Sequence, residues 1–417
     1  MKKNSNLNQW FWKWHFIAGV ISLPFILILA ITGGIYLFKG DYEKSKQESI
    51  KTVAVVGNPI SYQKQWELAN KQMHKAPTAM VLSKNKGQAT EFITGRFSHK
   101  KSLFINPYNS NVSGEISPKD SNMHTVRKIH GELLLGKFGT KIVELIASWM
   151  VVLIITGLYI WWPANGWNIK GFFIPRFKAG KQILYRDIHA ITGFWFSALL
   201  LLVLAGGFPW TDVFGDNFKW IQKTTNTGFP STWNGRQLQS TAVSKALTLD
   251  EMVDIAQNLN LEGEVQITLP QKTNSVFSIS NTILRNLNAQ KKYHFDLYTG
   301  KQILQHNWED VGILMRGRMW VMAFHQGQFG TWNWCIMLGT AIALTIMCLS
   351  ALISYLKRKR KNDWSIPKVP STFSVSSFLI GIIIFLGIIF PLFGISLLAL
   401  FAYKLIKNRL YPRTSIH

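Results

Sequence analysis

W-K-W-H-F-I-A-G-V-I-S-L-P-F-I-L-I-L-A-I-T-G-G, residues 12–34, is an apolar run with a histidine, His15, near its start. About 20 apolar residues span the roughly 30 Å hydrocarbon core of a bilayer, and an ionisable side chain at that depth is costly unless function uses it. The opening recurs in R-D-I-H-A-I-T-G (186–193), which carries His189. Two more histidines precede apolar helices: His130 in H-G-E-L-L-L-G-K-F-G-T (130–140) and His325 in H-Q-G-Q-F-G-T (325–331). Two matched pairs are a pattern that a single interfacial histidine is not.

Working outward, five stretches of the 417-residue chain are long and apolar enough to consider as spans: Trp12–Phe38, Val143–Trp162, His189–Phe208, Trp332–Tyr355 and Phe373–Ile406. The last would be about 50 Å long as one helix, too long for a single crossing, and Pro391 sits near its middle. It reads as a hairpin of two short helices, with a single broken helix as the other form. The expected fold is a membrane α-helical bundle with α+β modules outside. Four long transmembrane helices (10–38, 139–163, 187–209, 331–356) and a C-terminal hairpin (372–407) are separated by external modules (39–138, 210–330) and short inner loops (164–186, 357–371).

Charge placement orients this bundle. The chain carries 46 Lys and Arg against 21 Asp and Glu, a formal charge of +25. Lys2, Lys3 and Lys13 flank the first span, and Lys170, Arg176, Lys178, Lys181 and Arg186 fill the second connection. Lys357 to Lys361 follow the fourth span, and Lys404, Lys407, Arg409 and Arg413 close the chain. Short basic loops stay cytoplasmic, so both termini are expected inside an inner (cytoplasmic) membrane and both large blocks in the periplasm. All four basic groups fall on one side only if the last segment is a hairpin. Interleaving with lipid-bilayer spans argues against nucleic acid as the partner of this charge.

The halves repeat. Residues 10–165 and 185–360 each run span, external block, histidine, G-[KQ]-F-G-T, span. Each block opens with a helical stretch (Tyr62–His74; Leu249–Leu259) followed by β-like runs, a pattern expected to form a helix on a small antiparallel sheet. The repeat pairs His15 with His189 near the inner face and His130 with His325 near the outer one, as two bis-histidine haem sites. Gly19 and Gly193, four residues beyond His15 and His189, lie on the same helix face and leave room for a flat macrocycle. Lys13, Arg127, Lys128 and Arg186 just upstream, and Arg316 and Arg318 at longer range, are candidate partners for haem propionates; interfacial anchoring explains them equally well.

Rival ligand sets are weaker. Cys335 and Cys348 form neither C-x-x-C nor C-x-x-C-H, which leaves covalent haem, iron–sulfur clusters and disulfides unsupported. Zinc needs more ligands than the two histidines each face offers. His124 reads as a solvated loop residue, and His74, His99, His294, His306 and His417 lie in polar surroundings with no role assigned. The 17 tryptophans are accounted for by interfacial belts.

These motifs (W-x-x-H-F-I-A-G…A-I-T-G-G, I-H-G-E-L-L-L-G, G-L-Y-I-W-W-P, D-I-H-A-I-T-G and D-L-Y-T-G-K) resemble the PepSY-associated transmembrane family, across about residues 10–405. That family includes iron-regulated inner-membrane proteins and periplasmic ferric-siderophore reductases. The resemblance implies two haem b groups ligated by His15, His130, His189 and His325, PepSY-like external modules, and a role in iron acquisition. One departure is the first external turn, N-P-Y-N-S-N, where the family favours D-P-x-T-G.

The expected activity is transmembrane ferric reduction. A quinol or a cytoplasmic reductase is the electron donor, and a ferric siderophore or other ferric chelate is the acceptor outside. No G-x-G-x-x-G fingerprint follows a strand, so no built-in nicotinamide domain is indicated. Residues 39–137 hold 16 Lys and Arg against 8 Asp and Glu, a balance that attracts anionic chelates or is an ordinary solvated face. Two other readings stand beside this one: a haem-free interaction module that regulates peptidases, and an iron or siderophore permease. The spans carry few acids for a cation path, with Glu144 the main exception.

Overall fold

The computed structural model describes residues 5–410 except 84, 163–168, 243–244, 283, 361–362 and 371–372; Lys2, Lys3, Pro163, Lys361, Arg413 and His417 fall outside the described residues. The first half runs α1 (Ser5–Tyr36), α2 (Lys39–Lys51) and α3 (Tyr62–Gln72), then β1 (Ala79–Leu82), β2 (Thr90–Thr94), β3 (Lys101–Ile105) and β4 (Val112–Ile116). There follow α4 (Asn122–Glu132), α5 (Gly136–Trp161), the short turn α6 (Ile169–Phe172) and α7 (Lys181–Gly207). The second half has α8 (Val213–Thr224), α9 (Leu249–Asn258), β5 (Glu264–Thr268), β6 (Phe277–Thr282), β7 (Lys291–Phe295) and β8 (Gln302–Asn307). It ends with α10 (Ile313–His325), α11 (Thr331–Arg358), α12 (Ser377–Ile389) and α13 (Pro391–Leu410).

Among the described residues, five helices (α1, α5, α7, α11 and α13) are long and apolar enough to cross a membrane. The first four form a bundle in which α1 and α7 each pack against both α5 and α11. Ile26, Ile146, Met150, Ile154, Leu200 and Cys348 make its apolar centre. Buried hydroxyls are satisfied within their own helices: Ser148 donates to Glu144 O at 2.7 Å and Thr340 to Ile336 O at 2.7 Å. Small residues let the backbones approach, as where a Cβ on Gly34 would lie 3.3 Å from Ala341 Cβ.

The terminal apolar segment folds back on itself. Phe390 leaves helical geometry at ψ 84°, and Pro391 starts the next helix. A Cβ on Gly387 would sit 3.3 Å from Gly394 Cα, whereas seven residues of straight helix would separate them by about 10 Å. The α12 arm has only 13 residues, about 20 Å, which is short of a full crossing. Trp149 Nε1 donates to Ser396 Oγ at 3.2 Å and so ties α13 to α5.

Outside the bundle the two β-rich blocks do not stand apart, as expected from the sequence, but merge. The eight strands among the described residues form one antiparallel sheet in the order β4-β3-β2-β1-β5-β6-β7-β8. The seam is the β1–β5 pair, with Ala79 opposite Thr268 and Leu82 opposite Val265. Period-two alternation turns Met80, Leu82, Phe92, Leu103, Ile105, Val265, Ile267, Phe277, Ile279, Tyr293 and Phe295 to one face, where Ala69 of α3 and Leu249, Met252, Val253 and Ala256 of α9 cover them. The two helices cap each other. Asp250 carboxylate oxygens accept from Tyr62 N at 2.8 Å and Gln63 N at 2.9 Å, while Gln63 Oε1 accepts from Leu249 N at 3.0 Å.

The departing turn N-P-Y-N-S-N does the same work as its counterpart D-L-Y-T-G. Asn106 Oδ1 accepts from Tyr108 N at 2.9 Å, and Asp296 Oδ1 accepts from Tyr298 N at 2.9 Å. Ser110 takes up the left-handed φ of 64° that Gly300 adopts at 65°.

Because the seam buries one shared core, Ile267→Ala is expected to cost about 2–5 kcal/mol, and Asp250→Ala about 1 kcal/mol through the lost cap. Hydrogen-exchange mass spectrometry should show β1 and β5 peptides losing protection together; loosening confined to β5–β8 would mean two independent units. Burial, then the charge of Lys292 and the neighbouring His306, hold His294 down at about 4 against an ordinary 6.5. The unfolded chain therefore binds this proton first. The sheet's stability is expected to fall as pH drops from 6.5 towards 4 and to change no further from this group below that.

Candidate functional site

Helix direction places the four histidines. Their helices alternate through the bundle, so His15 of α1 and His189 of α7 share the end away from the sheet, while His130 of α4 and His325 of α10 share the sheet end. The structure brings them together two by two. The rings of His15 and His189 have centroids 6.3 Å apart, and those of His130 and His325 are 6.1 Å apart.

Each ring is docked the same way. His15 Nδ1 lies 3.0 Å from Thr156 Oγ1 and also bonds the carbonyl of Leu153. His130 Nδ1 is 3.0 Å from Leu29 O and 3.2 Å from Thr32 Oγ1. His189 Nδ1 is 3.0 Å from Met347 O, and His325 Nδ1 is 2.8 Å from Val203 O. A carbonyl can only accept, and Thr156 Oγ1 already gives its proton to Val152 O, so each Nδ1 carries the proton and each Nε2 keeps its lone pair. The acceptors head four related pentapeptides: L-I-I-T-G (153–157), L-A-I-T-G (29–33), M-C-L-S-A (347–351) and V-L-A-G-G (203–207).

The small residue that ends each pentapeptide faces its ring in three of the four. A Cβ on Gly157 would lie 3.1 Å from His15 Cε1, one on Gly33 3.0 Å from His130 Cε1, and one on Gly207 3.9 Å from His325 Cε1. These glycines were missed in the sequence, although the recurring T-G was visible. Gly19 and Gly193 do something else. The nearest side-chain atom to a Cβ on Gly19 is Leu153 Cδ2 at 3.9 Å, and to one on Gly193 it is Met347 Sδ at 3.3 Å. They admit the helix that supplies the acceptor carbonyl, rather than lying against the ring.

Three of the expected cations, Arg186, Arg127 and Arg318, already have protein partners. Arg186 bonds Asp187 at 3.2 Å, and Asp187, fully buried two residues before His189, also receives Arg176 through two side-chain bonds of 2.7 Å. Arg127 reaches Ser98 Oγ at 3.1 Å and Glu132 at 3.7 Å, and Arg318 stacks 4.6 Å over Trp210. Buried polar atoms without a partner among the described residues include Nε of Arg316, another of the expected cations, together with Trp161 Nε1 and Tyr355 Oη. Trp161 and Tyr355 each lie eight residues, about 12 Å, beyond the carbonyl that holds His15 or His189.

Haem fits this donor set. Two imidazoles binding one metal from opposite sides at about 2 Å place their ring centroids roughly 6 Å apart. Zinc fits less well, since no cluster of three or more His, Cys, Asp or Glu side chains gathers among the described residues. Glu144 lines no path: it is buried and caps α8, accepting from Val213 N at 2.8 Å and Phe214 N at 3.0 Å. Two histidines given no role in the sequence, His294 and His306, are buried beside one another in the sheet, with centroids 5.7 Å apart.

No curated protein matches the chain. The family model of the PepSY-associated TM region matches residues 12–358, which takes in the bundle, the sheet and all four histidines. The chain belongs to the PepSY-associated transmembrane family.

Proposed function

We propose that the chain is a transmembrane electron-transfer protein that holds two haem b groups, one between His15 and His189 and one between His130 and His325. It reduces a ferric siderophore or another ferric chelate at the sheet-bearing face, for iron acquisition. The observation that supports this reading best is a repeated arrangement: Nδ1 is held by a main-chain carbonyl in His130, His189 and His325 and by Thr156 Oγ1 in His15, which leaves Nε2 for iron in each of two close pairs. Bound haem supplies reversible one-electron chemistry.

The chain's own contribution is tuning and orientation. A carbonyl accepting from Nδ1–H fixes the tautomer and raises the basicity of Nε2. Thr156 and Thr32 donate their own protons to Val152 O at 2.7 Å and Ile28 O at 2.6 Å, so their oxygens are free to accept from the imidazole as well. His15 and the Leu29 carbonyl that holds His130 are 14 residues apart on α1, as are His189 and Val203 on α7. That spacing sets the two sites about 21 Å apart across the membrane.

Arg176, Lys178, Lys181, Arg186, Lys357, Arg358 and Lys359 surround the His15–His189 end. By the positive-inside bias this end faces the cytoplasm, which puts the sheet in the periplasm and the donor, a quinol or a cytoplasmic reductase, at the inner pair. Capping of α8 engages Glu144, which leaves the permease reading without its main intramembrane acid.

Pyridine haemochrome analysis of the purified protein is expected to give two b haems per chain. His15→Ala or His189→Ala should remove one and His130→Ala or His325→Ala the other; a haem-free preparation from haem-replete cells would falsify the proposal. Thr156→Val should keep the inner haem but shift its midpoint potential and weaken retention by about 10–100-fold. Gly157→Leu should expel it by pushing the His15 ring aside, leaving the outer haem spectrum unchanged.

A further inference from the structure

We propose that Lys292, His294 and His306 form a binding site for an anionic oxygen group of the ferric chelate, on the sheet face turned away from α3 and α9. This deepens the reductase reading, since it names the substrate chemistry and where it docks.

Strand alternation sets Lys292 and His294 opposite to the core residues Tyr293 and Phe295. Register places His306 directly across from Lys292, and Ser278 directly across from His294. Residues 230–235 close over them. Thr232 Oγ1 lies 3.0 Å from His306 Nε2, the Trp233 ring lies 5.5 Å from that of His306, and Lys292 Nζ sits 5.9 Å over Trp233. Gly235 has a φ of 69°, and a Cβ there would be 3.1 Å from His294 Nδ1, so only glycine lets the chain pass.

Two independent observations call for a ligand. His294 is fully buried and its Nδ1 is held by Ser278 Oγ at 2.8 Å, yet its Nε2 has no partner among the described residues. Buried polar groups are nearly always satisfied, and each exception asks what satisfies it. Lys292 has no acidic partner among the described ion pairs, and the charge that acts on it is that of another cation, Arg96. Burial first, then Arg96, pull Lys292 down to about 8. The sign of these charges chooses between ligand classes. A metal cation would be repelled by Lys292 and Arg96, whereas an anionic oxygen would neutralise Lys292 and accept from His294 Nε2–H, with Ser278 turning its hydroxyl to donate to Nδ1. Asp310, the acid felt by His306, is exposed and already occupied as the cap of Asn307 N at 2.7 Å.

The location suits a substrate of the outer histidine pair. Trp233 packs with Trp308 and Val311 in a cluster against which Met315 and Met319 of α10 rest. Met319 is six residues, about 9 Å, from His325 on that helix.

The test is calorimetric titration of the full chain in phosphatidylcholine nanodiscs with gallium citrate, a redox-inert stand-in for a ferric chelate. Lys292→Met should weaken binding at least tenfold, with Lys292→Arg binding within a few-fold of the unsubstituted chain. Unchanged affinity in Lys292→Met, or equal loss in both variants, would overturn the assignment. So would binding that disappears in phosphatidylglycerol nanodiscs for the unsubstituted chain but not for Lys292→Met, which would give the site to a lipid headgroup. Gallium binding does not depend on haem, so the haem count and this titration fail independently.

Discussion

A membrane helix satisfies its own backbone, but each carbonyl keeps a second lone pair, and four of those lone pairs hold this site together. The carbonyl of residue i already accepts from the N–H of residue i+4, and the side chain of i+4 lies back over that turn. A large residue there shields the carbonyl. Gly157, Gly33, Ala351 and Gly207 occupy that position relative to Leu153, Leu29, Met347 and Val203. The small residue therefore does two things at once: it uncovers the acceptor and it makes space for the imidazole plane. This is why the pentapeptides recur with their helices and not with the external blocks.

The same constraint sets the spacing between the sites. Fourteen residues are just under four turns, so His15 and the Leu29 acceptor lie on nearly one face of α1, and His189 and the Val203 acceptor on nearly one face of α7. Each of these helices presents a ligand at one end and an acceptor at the other, towards the same side of the bundle. Rotating either helix would disturb both sites together, which makes the bundle's packing part of the site. Gly19 and Gly193 belong here: they allow α5 and α11 to come close enough for Leu153 and Met347 to offer their carbonyls.

Much of this was legible because it is local. Apolar runs marked the spans, Pro391 marked the break, and the paired motifs marked the histidines that the structure brings together. The single sheet was not legible. Its seam joins Ala79 to Thr268, 189 residues apart in the chain, and nothing local in either strand says that its edge is shared. His294 was unreadable for a related reason. In K-Y-H-F the alternation puts it opposite the core face, which in an open sheet means solvent; only the remote residues 230–235, folding back over it, make it buried. The N-P-Y-N-S-N departure mattered less than composition suggested, because Asn106 offers the same acceptor as Asp296.

The two histidine pairs differ in what carries them. His15 and His189 belong to long bundle helices, and their surroundings are set by the bundle. His130 and His325 sit on short helices that continue from β4 and β8, the two edge strands of the sheet. Each passes through a single 3₁₀ turn, Pro118–Asp120 or Trp308–Asp310, before the helix begins. The His130–His325 pair is thus suspended from the sheet's two edges, and the β1–β5 seam fixes the distance between those edges. A group bound at β7 and β8 touches the strand that leads, within a few residues, into α10. The His15–His189 pair answers to the packing of the bundle; the His130–His325 pair answers to the sheet as well.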